Sequence, residues 1–332
     1  MKKILMAVCA VAVLSLTGCK KDKVDPEPQP TTGEGIYNPG ARIATVSNND
    51  GTQQWVWNDT KLDRIESRDL EGNAAGVQQF TYNGNRMASM TQTVQGVASE
   101  TRITYSGNYI SAISIYTDGT MSANATVSHN SANKINRVDL DVDASYLSTL
   151  LGQLMGGMNF GGKKGDSKFS LNSADVYATL DWQGDNVSRM IVHADINAGI
   201  TMEEISQIID LTEVLGEQLA SLATSIQGEQ PLTIALVDTV DLTYDDHHNP
   251  LQGFIGMLDP QVLSANNYTL MDNHGNAGIT LTINIPFLGA YPIQRDVPIT
   301  RVTDYFYTYN AAGFPLTVND DEGNETTYTY HE

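Results

Sequence analysis

Cysteine is nearly absent. The chain of 332 residues has two, Cys9 and Cys19, both near its start, so no disulfide can staple what folds after them. That excludes a small disulfide-held scaffold and thiol catalysis in the main body. Positive charge is scarce too. The 19 Lys and Arg face 39 Asp and Glu, for a net charge of −20, more negative still without Lys2 and Lys3. Such a surface repels phosphate backbones and anionic headgroups, which argues against nucleic acid as a partner. The apolar run from Ile4 to Leu16 falls short of the about 20 residues a membrane-spanning helix needs. There is no nucleophile elbow and no His-Glu-x-x-His helix. No pair of carboxylates is singled out by its spacing.

What is present begins at the start of the chain. Lys2 and Lys3 precede the apolar run, which has the size of a signal-peptide core. It ends in Leu16-Thr17-Gly18-Cys19, which resembles the lipobox of bacterial lipoproteins. The resemblance implies removal of residues 1–18 and lipid attachment at Cys19, making the membrane a partner through that anchor. Residues 19–35 form a tether. They are polar, hold Pro26, Pro28 and Pro30, and lack apolar periodicity. Their Lys20, Lys21, Asp22, Lys23 and Asp25 resemble the export signals of Bacteroidota surface lipoproteins, and equally an ordinary solvated spacer. Residues 36–332 are expected to form a single β domain.

A repeat organises that domain. Trp55-Val56-Trp57-Asn58 is followed by Leu62 and Ile65. Phe80-Thr81-Tyr82-Asn83 is followed by Met87 and Met90, and Ile103-Thr104-Tyr105-Ser106 by Ile110 and Ile113. In each unit an aromatic precedes the next apolar residue by five. Further copies run through Val127 to His129, Leu180 to Gln183, Leu242 to Asp245 and Tyr307 to Asn310. Tyr328-Thr329-Tyr330 reads as a closing strand.

Each unit has the pattern of a β-hairpin. Alternate residues share a face, and Asn83-Gly84 and Gly107-Asn108 supply the positive-φ positions of tight turns. After the turn, apolar residues stand three apart rather than two. A recurrent β-bulge near the turn would shift the side-chain phase by one and account for this. The units predict an all-β, antiparallel meander curled into an open or closed barrel-like sheet. A transmembrane barrel is disfavoured, because the strands are rich in Thr, Ser, Asn and Asp.

Insertions interrupt the repeat. A short helix is expected over about 145–155, followed by a glycine-rich stretch that lacks the Gly-Lys-Ser/Thr of a phosphate loop. An amphipathic helix is expected over about 201–227. It opens with a Thr201/Glu204 capping box and carries Ile205, Ile208, Leu215, Leu219, Leu222 and Ile226 on one stripe. A third insertion, Pro260 to Pro298, holds Ile279 to Ile285 as a strand.

Several polar clusters invite a ligand. Asp245-Asp246-His247-His248 gathers metal-ligand types, but neighbours on a strand point apart, and the cluster falls where the repeat places a turn. Asp139, Asp141 and Asp143 share a strand face that could attract Ca²⁺, without a glycine-bearing loop after them. Asp272 to Asn276 and Asn319 to Gly323 read as Asx turns. Trp55, Trp57, Tyr82, Tyr105, Trp182 and Tyr309 could stack on sugars, but alternating positions favour the core. No catalytic residue, metal ligand or cofactor is assigned.

Phe80-Thr81-Tyr82-Asn83-Gly84-Asn85-Arg86 and Tyr307 to Pro315 resemble the Tyr-Asp repeats of Rhs-type β-shells, usually without the Asp, which Asp245 keeps. With the lipobox, the chain from about Thr45 onward is similar to a family of Bacteroidota lipoproteins described as a domain of unknown function with a porin-like fold. The resemblance implies a curled antiparallel sheet and an envelope location, at the outer membrane. It implies no activity. The expectation is therefore a non-enzymatic envelope lipoprotein that binds a glycan or an envelope protein. A hydrolase of envelope or dietary polymers and a purely structural lipoprotein are the alternatives.

Overall fold

The computed structural model describes residues 37, 39–94, 97–143, 170–208, 215–223, 225–254, 258–285 and 287–331. The signal, the tether, Cys19 and the helix expected over 145–155 lie outside them. Sixteen strands are described: β1 (Ile43–Asn48), β2 (Gly51–Asn58), β3 (Lys61–Arg68), β4 (Ala74–Asn83), β5 (Arg86–Val94), β6 (Val97–Ser106), β7 (Tyr109–Thr117) and β8 (Thr120–His129). There follow β9 (Ile135–Val142), β10 (Ser170–Gln183), β11 (Asn186–Thr201), β12 (Glu229–His248), β13 (Asn266–Ile285), β14 (Gly289–Tyr309), β15 (Pro315–Asp320) and β16 (Glu325–Tyr330). Each pairs antiparallel with its sequence neighbours, and β16 pairs with β1. The meander is thus a closed barrel, which leaves no free edge along the shared part of its wall.

The recurrent bulge is present. In the β2–β3 pair, Val56 faces Arg64 but Trp57 faces Leu62, so Asp63 has no residue opposite it in the ladder. The same skip occurs at Ala88, Ser111, Asn136, Ser188 and Leu316. The extra residue turns residues three apart onto one face. Leu62 and Ile65, Met87 and Met90, and Ile110 and Ile113 are accordingly all buried. The seam follows the same rule. Ile43 faces Tyr330 and Thr45 faces Thr329, with Ala44 skipped. The barrel closes as an eighth hairpin whose turn is replaced by the two ends of the described chain. The rim where those ends meet is called the closing rim here.

Side chains sort by phase. Trp55, Ile65, Phe80, Met90, Ile103, Ile113, Leu180, Tyr307, Val318 and Tyr328 belong to a core inside the wall. The outer face carries Thr, Gln and charge, with Val77, Val237, Val302 and Phe306 exposed among them. Arg64 pairs with Glu66, Arg102 with Glu100, Arg137 with Asp139 and Arg189 with Asp241. A charge at the middle of a bilayer costs a barrel wall about 2–4 kcal/mol for each Arg or Lys. The four ion pairs stand near the closing-rim turns and make that end of the outer wall polar. No described helix is long and apolar enough to cross a membrane, a fact with no bearing on strands.

Strands β10 to β14 outrun the others. Residues 289–304 of β14 pair only with β13, so this part is a flap beyond the barrel proper. Pro292 and Pro298 sit on its free side, where a residue without an N–H discourages further pairing. A second apolar cluster lies on the flap, with Ile196, Ile200, Ile234, Ile279 and Ile283 packed against Ile205, Leu215, Ala220 and Ala223.

The structure corrects several expectations. The helix over 201–227 is not continuous: α1 (Met202–Ile208) and α2 (Glu217–Ala223) are separate, and Gly216 at φ +76° breaks the path. The capping box holds, with Thr201 N–H donating to Glu204 Oε2 (3.1 Å) and Glu204 N–H to Thr201 Oγ1 (3.3 Å). Leu222, expected on the buried stripe, is exposed. Pro260 to Pro298 is no insertion but contributes a four-residue helix, α3 (Pro260–Leu263), all of β13 and the first part of β14.

Candidate functional site

The aromatics of the repeat hold the wall together. Near the closing rim, Trp57 Nε1 donates to the Ile43 carbonyl (2.7 Å), Tyr82 Oη to Leu62 (2.8 Å), Tyr105 Oη to Met87 (2.7 Å) and Trp182 Nε1 to Ile135 (2.6 Å). Tyr244 Oη reaches Val187 (2.7 Å), and Tyr330 Oη reaches Pro315 (2.7 Å). In most units the acceptor is the first apolar residue after the previous turn. The bulge beside it disturbs the ladder, and the aromatic donor restores a bond there. The few cations serve the same girdle. Lys61, Arg86 and Lys134 lie over the rings of Tyr82, Tyr105 and Trp182, and donate to the turn carbonyls of Gly84 (2.6 Å), Gly107 (2.6 Å) and Gly184. These rings are half-buried and tied to backbone, so they frame the wall rather than offer a sugar platform.

Asp245 sits where this pattern breaks. Strand β12 leads not into a tight turn but into residues 249–265, whose Leu251, Phe254, Val262 and Leu263 plug the barrel interior. Tyr37 joins them, donating to the Pro250 carbonyl (2.9 Å) and stacking on Trp57. Tyr309 therefore finds the Asp245 carboxylate instead of a backbone carbonyl. Asp245 Oδ1 also accepts the N–H groups of His247 (3.0 Å) and Asn267 (3.1 Å). Burial pushes its carboxyl up, against these hydrogen bonds. His247 stacks on Tyr309 at 3.8 Å and His248 on Phe314. The Asp245–His248 cluster is thus the end of a strand, not a turn, and its two imidazoles pack on different rings.

The other polar runs divide. Asp320 makes the expected Asx turn, accepting from Glu322 N–H (3.0 Å) and Asn324 N–H (2.8 Å). Asp272 to Asn276 makes none: it lies within β13. Asp139 and Asp141 share the outer face, where Arg137 holds Asp139.

Sequence reasoning missed a group inside the wall. Residues 232, 234, 236, 238, 240 and 242 of β12 share the inward phase. All are apolar but Asp238, an acid in an apolar phase that could have flagged the site. Asp238 is fully buried, beside Asn273 on β13 and Thr303 on β14, both also buried. In the register, Asp238 faces Gly275 and Val240 faces Asn273, while Asn273 faces Arg301 and Met271 faces Thr303. The three side chains therefore step diagonally across three strands. Asp238 Oδ1 and Oδ2, Asn273 Oδ1 and Thr303 Oγ1 form no close hydrogen bond, although the Asn273 side chain lies near enough to the Asp238 carboxyl to favour its charged form. Burial pushes the Asp238 carboxyl up to about 6. A side chain at Gly275 would run into the Val237 carbonyl, so β12 and β13 approach closely beside the acid.

At the rim opposite the closing rim, the β13–β14 hairpin ends in an apolar tip. Phe287 is fully exposed, Leu288 is 63% exposed and Tyr291 40%. Phe287 holds φ +66°, a conformation that costs a bulky residue energy.

These features define a closed antiparallel β-barrel with a packed interior and a polar outer wall. No family model matches the chain, and no curated protein does. Sixteen chains of solved structures match. One is a porin-like protein from Bacteroides uniformis ATCC 8492, similar at 10% identity with a TM-score of 0.39 over 87% of this chain and 98% of that one.

Proposed function

We propose that this chain is a lipid-anchored, non-catalytic envelope protein that stands in water beside its membrane and docks another envelope protein at its flap. The observation that carries the reading is the polar outer wall. A barrel that faces water on all sides needs a separate anchor, and Cys19 supplies it. The chain enters the described fold at Tyr37 on the closing rim, so a lipid at Cys19 tethers that rim. The Phe287–Leu288 tip then points away from the tethered rim, which supports it as the docking element. A protein partner is favoured over a glycan because the aromatics of the repeat are occupied within the wall.

The hydrolase alternative calls for two perturbed carboxyls sharing a cleft. Of the three described carboxyls that burial raises, Asp245 is engaged by Tyr309 and two backbone amides, and Asp259 caps α3 through Gln261 N–H (2.7 Å). Asp238 stands alone on the inner face.

Photo-crosslinking in intact cells tests the docking. A benzophenone side chain at position 287 of the full-length lipoprotein gives a discrete protein adduct, and the same group at outward-facing Thr179 does not. Equal labelling at both positions, or none at 287, contradicts the reading.

A further inference from the structure

We propose that Asp238, Asn273 and Thr303 form an interior site for a hard, oxygen-seeking metal cation, held on the inner face of β12–β14 between the two apolar clusters. Four side-chain oxygens there are buried without a close hydrogen bond: both of Asp238, the carbonyl of Asn273 and the hydroxyl of Thr303. Natural structures leave very few buried polar atoms unpaired. The Asn273 side chain offsets only part of the burial penalty on the Asp238 carboxylate. Four such atoms fall on three successive diagonal positions of one face, whereas Gln53, Trp55, His129, Asn136, His247 and Gln252 contribute one each.

The chemistry of the set chooses the occupant. Three of the four oxygens accept hydrogen bonds only and the fourth is a hydroxyl, which can also coordinate; the neighbouring cation, Arg301 opposite Asn273, is held by Glu322 (3.3 Å). Carboxylate, amide carbonyl and hydroxyl oxygens are the ligands of Ca²⁺ and related hard ions. A soft metal would call for thiolate or imidazole. Diagonal neighbours on a sheet face stand roughly 7 Å apart. The Asp238 carboxylate and Asn273 carbonyl can therefore contact one ion directly, with water completing the shell and reaching Thr303. One carboxylate among neutral oxygens predicts weak binding, on the order of the millimolar constants of extracellular Ca²⁺ modules. Flexible coordination favours Ca²⁺ over Mg²⁺, which demands a rigid octahedron. The net charge of −20 raises the local cation concentration.

The test is thermal unfolding of the mature chain after chelation and dialysis, titrated with CaCl2, MgCl2 and NaCl. Choline chloride controls for ionic strength. The expected result is a saturable rise in midpoint with CaCl2, of a few °C at ten times the dissociation constant, and a smaller one with MgCl2. Asp238→Asn, nearly isosteric, is expected to abolish the increment. Calorimetric titration of the unmodified chain with CaCl2 provides a second readout that needs no variant. No saturable shift beyond choline together with no heat overturns the proposal, as does an Asp238→Asn chain that keeps the full increment. Either failure leaves the envelope-docking reading untouched, because that rests on the outer wall and the tip.

Discussion

Tyr82 donates its hydroxyl to the carbonyl of Leu62 across 2.8 Å, and Leu62 is the residue whose neighbour Asp63 drops out of the ladder. The two facts belong together. The bulge that turns Leu62 and Ile65 inward also perturbs the local pairing, and the next aromatic along the wall supplies a compensating bond. Loss of that bond without loss of volume isolates its contribution. Tyr82→Phe and Tyr105→Phe are each expected to lower unfolding free energy by about 1 kcal/mol, measured by urea denaturation. Burial pushes both hydroxyls up to about 12. The folded chain therefore keeps these protons above the ordinary tyrosine range near 10, and their contribution to stability is lost as pH rises from about 10.

The bulge makes a positional prediction. In a regular strand, tolerance to truncation alternates. Here two tolerant positions should lie side by side between two intolerant ones. Leu62→Ala and Ile65→Ala are expected to cost about 2–4 kcal/mol each, as buried apolar truncations do. Asp63→Ala and Arg64→Ala are expected to stay within about 0.5 kcal/mol, since they face water and exposed ion pairs contribute little. An alternating result along 62–65 would deny the bulge.

Asp245 carries the aromatic girdle past the interior plug. Asp245→Ala strands the Tyr309 hydroxyl and two backbone amides, a loss of roughly 2–4 kcal/mol. Asp246→Ala, at an exposed neighbour, is expected to be near neutral. Comparing denaturation midpoints of the pair separates a structural carboxylate from a general effect of charge.

Asp238 gives a pH signature. Its folded carboxyl is held near 6 against the ordinary value near 4, because burial disfavours the charge. The folded state then binds the proton more tightly, so stability falls as pH rises from about 4 to 6. In chelated buffer, Asp238→Asn removes this dependence, and the variant gains on the order of 2 kcal/mol over the unmodified chain at pH 7. At pH 4 the two chains are expected to converge. A constant difference across that range would mean that the carboxyl is not desolvated.

Much of this was legible in the sequence because it is local. Turn glycines, the five-residue interval from Trp57 to Leu62 or Tyr82 to Met87, and the Thr201/Glu204 box all act within a few residues. The three-residue spacing of Leu62 and Ile65 was enough to expect the bulge. Closure was not legible, because Thr45 meets Thr329 only after the whole meander has curled. Asp272 to Asn276 imitated a turn because it is polar on both phases. Its inward Asn273 answers Asp238, a partner 35 residues earlier, and no window on β13 alone reveals that. Asp245 to His248 falls where the repeat places a turn, while the plug after Asn249 lets β12 run on. Gly216 stood within a sound helical stripe, and one left-handed residue was enough to divide it.

The outer wall decides whether the barrel lives beside a membrane or within it. The direct measurement is sedimentation and urea unfolding of residues 36–332, expressed without residues 1–35, in buffer with and without detergent micelles. The account predicts a monodisperse, cooperatively unfolding protein in plain buffer, with a transition that micelles leave unchanged. A chain that aggregates in plain buffer and acquires its fold only in micelles would contradict it.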